Sequence, residues 1–175
     1  MRVVAGELRG RKLAAPADGT TRPTTDLVRE AVFNALTSLD VIVDARVADL
    51  YAGSGALGIE ALSRGAEHCM FVERGRRALS TLEENIATLG LRDRARVVAG
   101  DALAVAPRLD VDVVFADPPY DFDAWPRLLD AISAERVRMV VAEAAGPVEA
   151  PPGWEQGRVK RYGRTWVTFL HRDEQ

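Results

Sequence analysis

From Ala45 to Ala142 the chain alternates between short apolar runs and segments of helical periodicity, and this alternation restricts the fold more than any other feature. Ala45-Arg46-Val47-Ala48-Asp49-Leu50 reads as a buried strand and Ala56–Arg64 as a helix. Cys69–Glu73 is a second strand, followed by a helix with Leu79, Leu82, Ile86 and Leu89 on one face and Gly90 as its stop. Ala95–Val98 is a third strand, followed by a short helical piece ending near Pro107. Val111–Ala116 is a fourth, Asp123–Ser133 a helix and Val137–Ala142 a fifth strand. Strands separated by helices imply βαβ units, hence a Rossmann-like α/β fold: a mostly parallel sheet with helices on both faces. Arg158–Tyr162 and Thr165–His171, joined across Gly163-Arg164, predict an antiparallel C-terminal hairpin at the sheet edge.

The first 23 residues follow another pattern. Val3-Val4 and Leu13-Ala14 flank the basic run Leu8-Arg9-Gly10-Arg11-Lys12, and Gly6, Gly10, Pro16, Gly19 and Pro23 punctuate the segment. This predicts a small β-hairpin and loop as an extension, 1–23, before a main domain, 24–175. The main domain opens on an amphipathic helix with Leu27, Val28, Ala31, Val32, Ala35, Leu36 and Leu39 on its stripe and Arg29, Glu30 and Asn34 largely off it.

Several classes fall away. Cys69 is the only cysteine, and His68 and His171 are the only histidines, so neither a disulfide framework nor a usual metal centre is expected. No run reaches the roughly 18 apolar residues of a membrane span. The start turns polar at once, without the apolar core of a signal peptide, so a cytoplasmic protein is expected.

In an open α/β sheet, ligands sit beyond the carboxyl ends of the strands. After strand one, Asp49 is followed by Gly53, Gly55 and Gly58, glycines that permit a tight turn and close ligand approach. Such a turn can need one glycine for geometry alone; three at this spacing favour a nucleotide-type ligand. A carboxylate here repels pyrophosphate but suits the cationic amino group of a methionine moiety. Glu73 ends strand two, 24 residues beyond Asp49, where it can accept both ribose hydroxyls of an adenosine or stand as a solvated acid. Asp101, after strand three, can accept from an adenine amino group, cap the next helix, or both.

Asp117-Pro118-Pro119-Tyr120 after strand four is the most specific signal. Two prolines remove two backbone donors, and Pro118 excludes Asp117 from the helical region. What remains is a rigid set of acceptors, one carboxylate and one or two carbonyls, beside an aromatic ring. That set suits an –NH₂ group on a flat heterocycle.

Together these loops resemble the class I S-adenosylmethionine-dependent methyltransferases that modify exocyclic amino nitrogens. Val4-Ala5-Gly6, Arg9-Gly10-Arg11-Lys12-Leu13, Arg22–Asn34 and Asp49–Ala61 narrow the resemblance to the RsmD family, as does Lys160–Thr165. The resemblance implies methylation of the N2 amine of one guanine in 16S ribosomal RNA, within an assembling or assembled small subunit. It implies S-adenosylmethionine as methyl donor, S-adenosylhomocysteine as product and no metal. It places the cofactor on Asp49, Tyr51, Gly53, Ser54, Gly55, Glu73, Asp101 and Ala102. Asp117, Pro118 and Tyr120 become the catalytic set: Asp117 and the Pro118 carbonyl accept from the amine while Tyr120 stacks on a base turned out of its stack.

Other readings stand beside this one: an adenine-N6 or other amino-methyltransferase acting on DNA, RNA or a protein glutamine; an NAD-dependent dehydrogenase, which leaves Asp117–Tyr120 unexplained; and a non-catalytic RNA-binding assembly factor. Arg9, Arg11 and Lys12 suit phosphate contacts, or form a merely solvated loop. Arg22 and Arg29 line the entrance for the target base, or pair with Asp26 or Glu30. Trp125, Trp154 and Trp166 are read as packing residues. No uncommitted apolar helix calls for a dimer, so a monomer is expected.

The net charge of −3 argues at first against an RNA partner. Its distribution reverses that. Residues 1–25 hold five basic and two acidic side chains, residues 158–172 hold five basic and none acidic, and the remainder is strongly acidic. An acidic catalytic domain with a basic element at each end is compatible with RNA, and a single RNA footprint is expected if both ends fold onto one face.

Overall fold

In the computed structural model, which describes residues 1–15, 26–133 and 135–173, seven strands form one sheet in the order β3-β2-β1-β4-β5-β7-β6. The strands are β1 (Arg46–Leu50), β2 (His68–Glu73), β3 (Ala95–Ala99), β4 (Val113–Ala116), β5 (Met139–Ala144), β6 (Trp154–Tyr162) and β7 (Thr165–Arg172). β1 to β5 pair in parallel; β7 is antiparallel to both β5 and β6. The helices are α1 (Asp26–Ser38), α2 (Ala56–Ser63), α3 (Arg76–Thr88), α4 (Ala102–Val105) and α5 (Trp125–Ala131). The predicted α/β architecture is therefore realised.

Each sheet face is covered, which is why β1 and β4 need near-continuous apolar sequence. One apolar cluster joins Val3 and Leu13 to α1, α2, α3 and the sheet residues Val47, Phe71 and Phe115; the other joins α4 and α5 to Leu50, Val114 and Val140. No helix among the described residues is long and apolar enough to cross a membrane.

Three local expectations shift. The stripe of α1 is narrower than its periodicity suggests, because Leu27 and Leu39 at its ends are exposed while Phe33 is fully buried, 5.4 Å from the Phe115 ring. β6 begins at Trp154, four residues before the predicted Arg158. An irregularity in register between Gln156 and Val159 hides the alternation, and Gly157 sits there because a Cβ would lie 2.5 Å from His171 Nε2. The predicted N-terminal hairpin has one bridge, Arg2 to Lys12, and its inner apolar residues Val3 and Leu13 are committed to the main core.

Gly58 packs α2 onto the sheet. A Cβ there would lie 2.3 Å from Phe71 Cε1 and 2.5 Å from Cys69 Sγ, both in β2. Gly58→Ala is expected to cost about 1–3 kcal/mol by overpacking, read as a lower denaturant midpoint at unchanged slope.

Candidate active site at the carboxyl ends of β1 and β4

The strand order reverses between β1 and β4, and Leu50 lies opposite Ala116. The turn after β1 and the Asp117–Tyr120 loop therefore leave the sheet side by side, at the switch point where open α/β sheets hold ligands.

Asp49 is buried and its Oδ2 accepts from Gly58 N–H, in the first turn of α2, at 2.9 Å. Burial pushes its carboxyl well above the usual aspartate range; the Gly58 bond opposes this, and the charges of Asp117 and Glu73 push it higher. Asp117 and Glu73, from two other strand ends, thus lie within electrostatic reach of Asp49. Glu73 is held by three backbone N–H groups: Gly53 at 2.8 Å on Oε2, and Arg74 at 2.8 Å and Gly75 at 2.7 Å on Oε1. A carboxylate offers about four acceptor directions, so accepting two ribose hydroxyls here requires release of an amide.

Gly53 and Gly55 both take positive φ, and a Cβ on Gly55 would lie 2.5 Å from Leu82 Cδ1. Tyr51 takes φ 61° despite its side chain. Burial, then the Asp101 charge, pushes its hydroxyl up to about 12, so it remains a protonated donor. Ser54 is buried in this turn. Asp101 Oδ1 accepts from Leu103 N–H at 2.8 Å, so the capping role exists, and Ala102 beside it is buried.

In the acceptor loop Asp117 is half-buried and Pro118 buried. Tyr120 is 42% exposed, leaving ring surface for stacking. Pro119 O accepts from Phe122 N–H at 2.9 Å, which closes the turn. The Phe122 ring meets Tyr51 edge-on at 5.5 Å and Trp125 at 5.2 Å, linking this loop to the turn after β1. Tyr120 Oη lies 3.3 Å from Thr165 Oγ1 at the start of β7. A cleft of about 150 Å³ opens beside Pro118, Tyr120, Phe122, Pro147 and Val148. Trp154 is buried under the Arg172 guanidinium, and Trp125 and Trp166 are half-buried.

The residues expected to touch RNA divide. Arg9, Arg11 and Lys12 are exposed. The tip they flank packs on the trailing ends of α2 and α3: Leu8 N–H donates to Ser63 Oγ, Glu7 N–H to Ser63 O, and Arg11 to Thr88 O. Those helices start at the carboxyl ends of the strands, so the tip lies toward the amino ends, away from Asp117. Arg29 does not line an entrance. It is fully buried, paired with Asp26 at 2.9 Å and with Glu60 at 3.5 Å, and it donates to Arg2 O. A guanidinium without water access has no surface to offer a phosphate. Arg22 lies outside the described residues.

Two buried polar residues were not singled out by sequence reasoning. Glu60 accepts from Val4 and Ala5 N–H at 2.8 and 3.0 Å and from Arg64 at 2.8 Å, fixing the N-terminal segment to α2. Asn85 donates to Ala14 O and Ser54 O, joining that segment to the glycine turn. The available signal was a lone acid in an otherwise apolar helix, and an amide beside Leu82 and Ile86 on an apolar stripe. No group of three metal-ligating side chains assembles among the described residues.

The sheet order, its antiparallel edge and the two adjoining loops define a Rossmann-like class I methyltransferase. The family model described as "Conserved hypothetical protein 95" matches residues 1–171, and the chain belongs to that family, the family of ribosomal RNA small subunit methyltransferase D. The Escherichia coli (strain K12) protein of that name is 45% identical over 184 residues, spanning 100% of this chain and 91% of its own. "Putative rRNA methyltransferase YlbH" of Bacillus subtilis is 42% identical, covering 97% of each chain. Among solved structures, "Putative methyltransferase yhhF" from Escherichia coli superposes with TM-score 0.86 at 34% identity, over 100% of this chain and 99% of that one.

Proposed function

We propose that this protein transfers a methyl group from S-adenosylmethionine to the N2 amine of a guanine in 16S ribosomal RNA. The observation that carries the reading is the meeting of the buried, charge-crowded Asp49 with the rigid acceptor loop Asp117–Tyr120 at one switch point. The names of the relatives support ribosomal RNA as the substrate class.

The residues present fit the methyl donor. Asp49, Glu73 and Asp117 bring three negative charges together, and S-adenosylmethionine carries two positive centres, an ammonium and a sulfonium. A ligand that neutralises crowded acids gains the energy their repulsion costs. Asp49 would face the ammonium, with Gly53, Ser54 and Gly55 giving close backbone approach and Tyr51, Glu73, Asp101 and Ala102 flanking the nucleoside. The bound donor supplies an electrophilic methyl on sulfur.

The chain's own residues prepare the amine. Guanine N2 is a weak nucleophile because its lone pair delocalises into the ring. Asp117 and the Pro118 carbonyl accept its two N–H groups, favour a pyramidal nitrogen and stabilise the positive charge that develops there. Tyr120 stacks on the extruded base. Positioning two bound reactants provides much of the rate, with no covalent enzyme intermediate. Arg9, Arg11 and Lys12, at the far end of the domain, would serve a separate backbone contact.

The test is mass mapping of 16S ribosomal RNA from cells lacking this protein. One guanine should lose a single methyl and regain it when purified protein and S-adenosylmethionine are added to small subunits or to their RNA. RNA that gains methyl on adenine instead, or a methylated protein glutamine, would replace this reading with one of its rivals.

A further inference from the structure

The turn of the β6–β7 hairpin carries a dense array of cations, and the sheet register fixes where it points. β7 runs antiparallel to β5, with Trp166 opposite Ala144, so Tyr162–Thr165 lies at the carboxyl end of β5. That is the end of the sheet bearing Asp117. Tyr120 Oη, 3.3 Å from Thr165 Oγ1, ties the acceptor loop directly to the hairpin.

Lys160, Arg161 and Arg164 surround this turn and are all exposed. Lys160 Nζ lies 5.1 Å above the Tyr162 ring and the Arg161 guanidinium 5.7 Å from the Trp166 ring, on opposite faces of the hairpin. Arg161 Nε donates to Gly163 O at 2.8 Å. A cation laid on a ring is partly ordered yet keeps N–H groups toward solvent. Several arginines elsewhere in the domain are paired with carboxylates: Arg46 with Asp110, Arg64 with Glu60, Arg94 with Glu7 and Arg136 with Asp112. Among the described residues, Lys160, Arg161 and Arg164 have no carboxylate within salt-bridge distance. Half-buried rings beneath surface cations, in a stretch with no acidic residue, fit a polyanion that also presents planar groups.

We infer that the β6–β7 turn, through Lys160, Arg161 and Arg164, holds the RNA phosphates that flank the target nucleotide. The inference rests on the ribosomal RNA reading above and gives that reading its grip beside the reacting amine. The N-terminal Arg9 tip points toward the other end of the sheet and does not share this footprint.

The test is a variant carrying Lys160→Gln, Arg161→Gln and Arg164→Gln, compared with wild type and with Arg9→Gln/Arg11→Gln/Lys12→Gln. The substrates are unmethylated small subunits and a short stem-loop bearing the target guanine, with thermal melts and S-adenosylmethionine calorimetry on each protein. Each phosphate contact on single-stranded RNA contributes a slope of about −0.7 in log affinity against log salt. Three lost contacts should make wild-type affinity for the stem-loop fall about twentyfold more than the variant's between 50 and 200 mM salt. The variant's KM should rise while its kcat at saturating RNA and its cofactor affinity stay near wild type. The N-terminal variant should keep the wild-type salt slope on the stem-loop. An unchanged slope and KM in the hairpin variant, with active wild type, overturns this inference alone. Wild type that methylates neither RNA overturns the functional reading itself. Should the triple variant melt early, Arg164→Gln at the exposed turn provides the same comparison with a third of the slope change.

Discussion

Asp117→Ala should lower kcat by about 10²–10³, the usual consequence of removing one preorganised group aimed at developing charge. Affinity for S-adenosylmethionine should change far less, because the cofactor contacts assigned to Asp49 and the glycine turn remain. The physical reason lies in the acceptor loop. Pro118 and Pro119 have no N–H to donate, Phe122 N–H closes the turn on Pro119 O, and the Phe122 ring is braced between Tyr51 and Trp125. The loop cannot bring a substitute acceptor to the amine without breaking that brace. Asp117→Asn retains an acceptor oxygen but no charge. A charge-assisted hydrogen bond is roughly twice as strong as a neutral one, so this variant should lose only about tenfold. Single-turnover methylation separates the chemical step from product release. Turnover in Asp117→Ala equal to that of wild type would remove Asp117 from the catalytic set.

Asp49→Asn should separate binding from stability. Loss of the carboxylate proposed to face the ligand ammonium should weaken S-adenosylmethionine binding about 10–100-fold, the worth of a hydrogen bond to a charged group. The ligand-free protein should nevertheless become more stable at neutral pH. The folded-state pKa of Asp49 is raised, by burial first and then by Asp117 and Glu73. Between the ordinary aspartate value and the raised one, the folded chain binds a proton that the unfolded chain does not. Stability from this group is therefore present at low pH and is lost as pH rises through that window. Asparagine has no proton to lose and keeps an oxygen for Gly58 N–H. The melting temperature of the variant should exceed that of wild type by a margin that grows with pH and closes as pH falls toward the ordinary aspartate range. Wild-type cofactor affinity should strengthen with rising pH, while the variant's should stay flat. Parallel melting curves at every pH would show that Asp49 carries no buried charge.

Much of this molecule was legible from its residues. The five strands and their helices follow from periodicity, because burial on both faces demands continuous apolar runs and each crossover demands a helix. The Asp117–Tyr120 display is a local property: two prolines dictate their own backbone wherever they stand. Gly58 as a packing glycine, Asp101 as a cap and Trp154 as a packing residue also follow from local chemistry.

Other features depended on groups distant in sequence. Arg29 looks like a surface cation beside Asp26, but Glu60 lies 31 residues away and closes a buried pair that no helical pattern reveals. Glu73 looks free for a ligand, yet its carboxylate is claimed by Gly53 as well as by its own neighbours Arg74 and Gly75. Composition displayed two basic ends, and the register of β7 on β5 together with the seating of Leu8 on Ser63 points them toward opposite ends of the sheet. Sequence by itself determined which backbone each segment prefers and which chemical groups each loop carries, since those are short-range properties. The tertiary structure alone decided which charges meet, which are buried and which face solvent, because Coulomb energy and desolvation depend on distance in space rather than on distance along the chain.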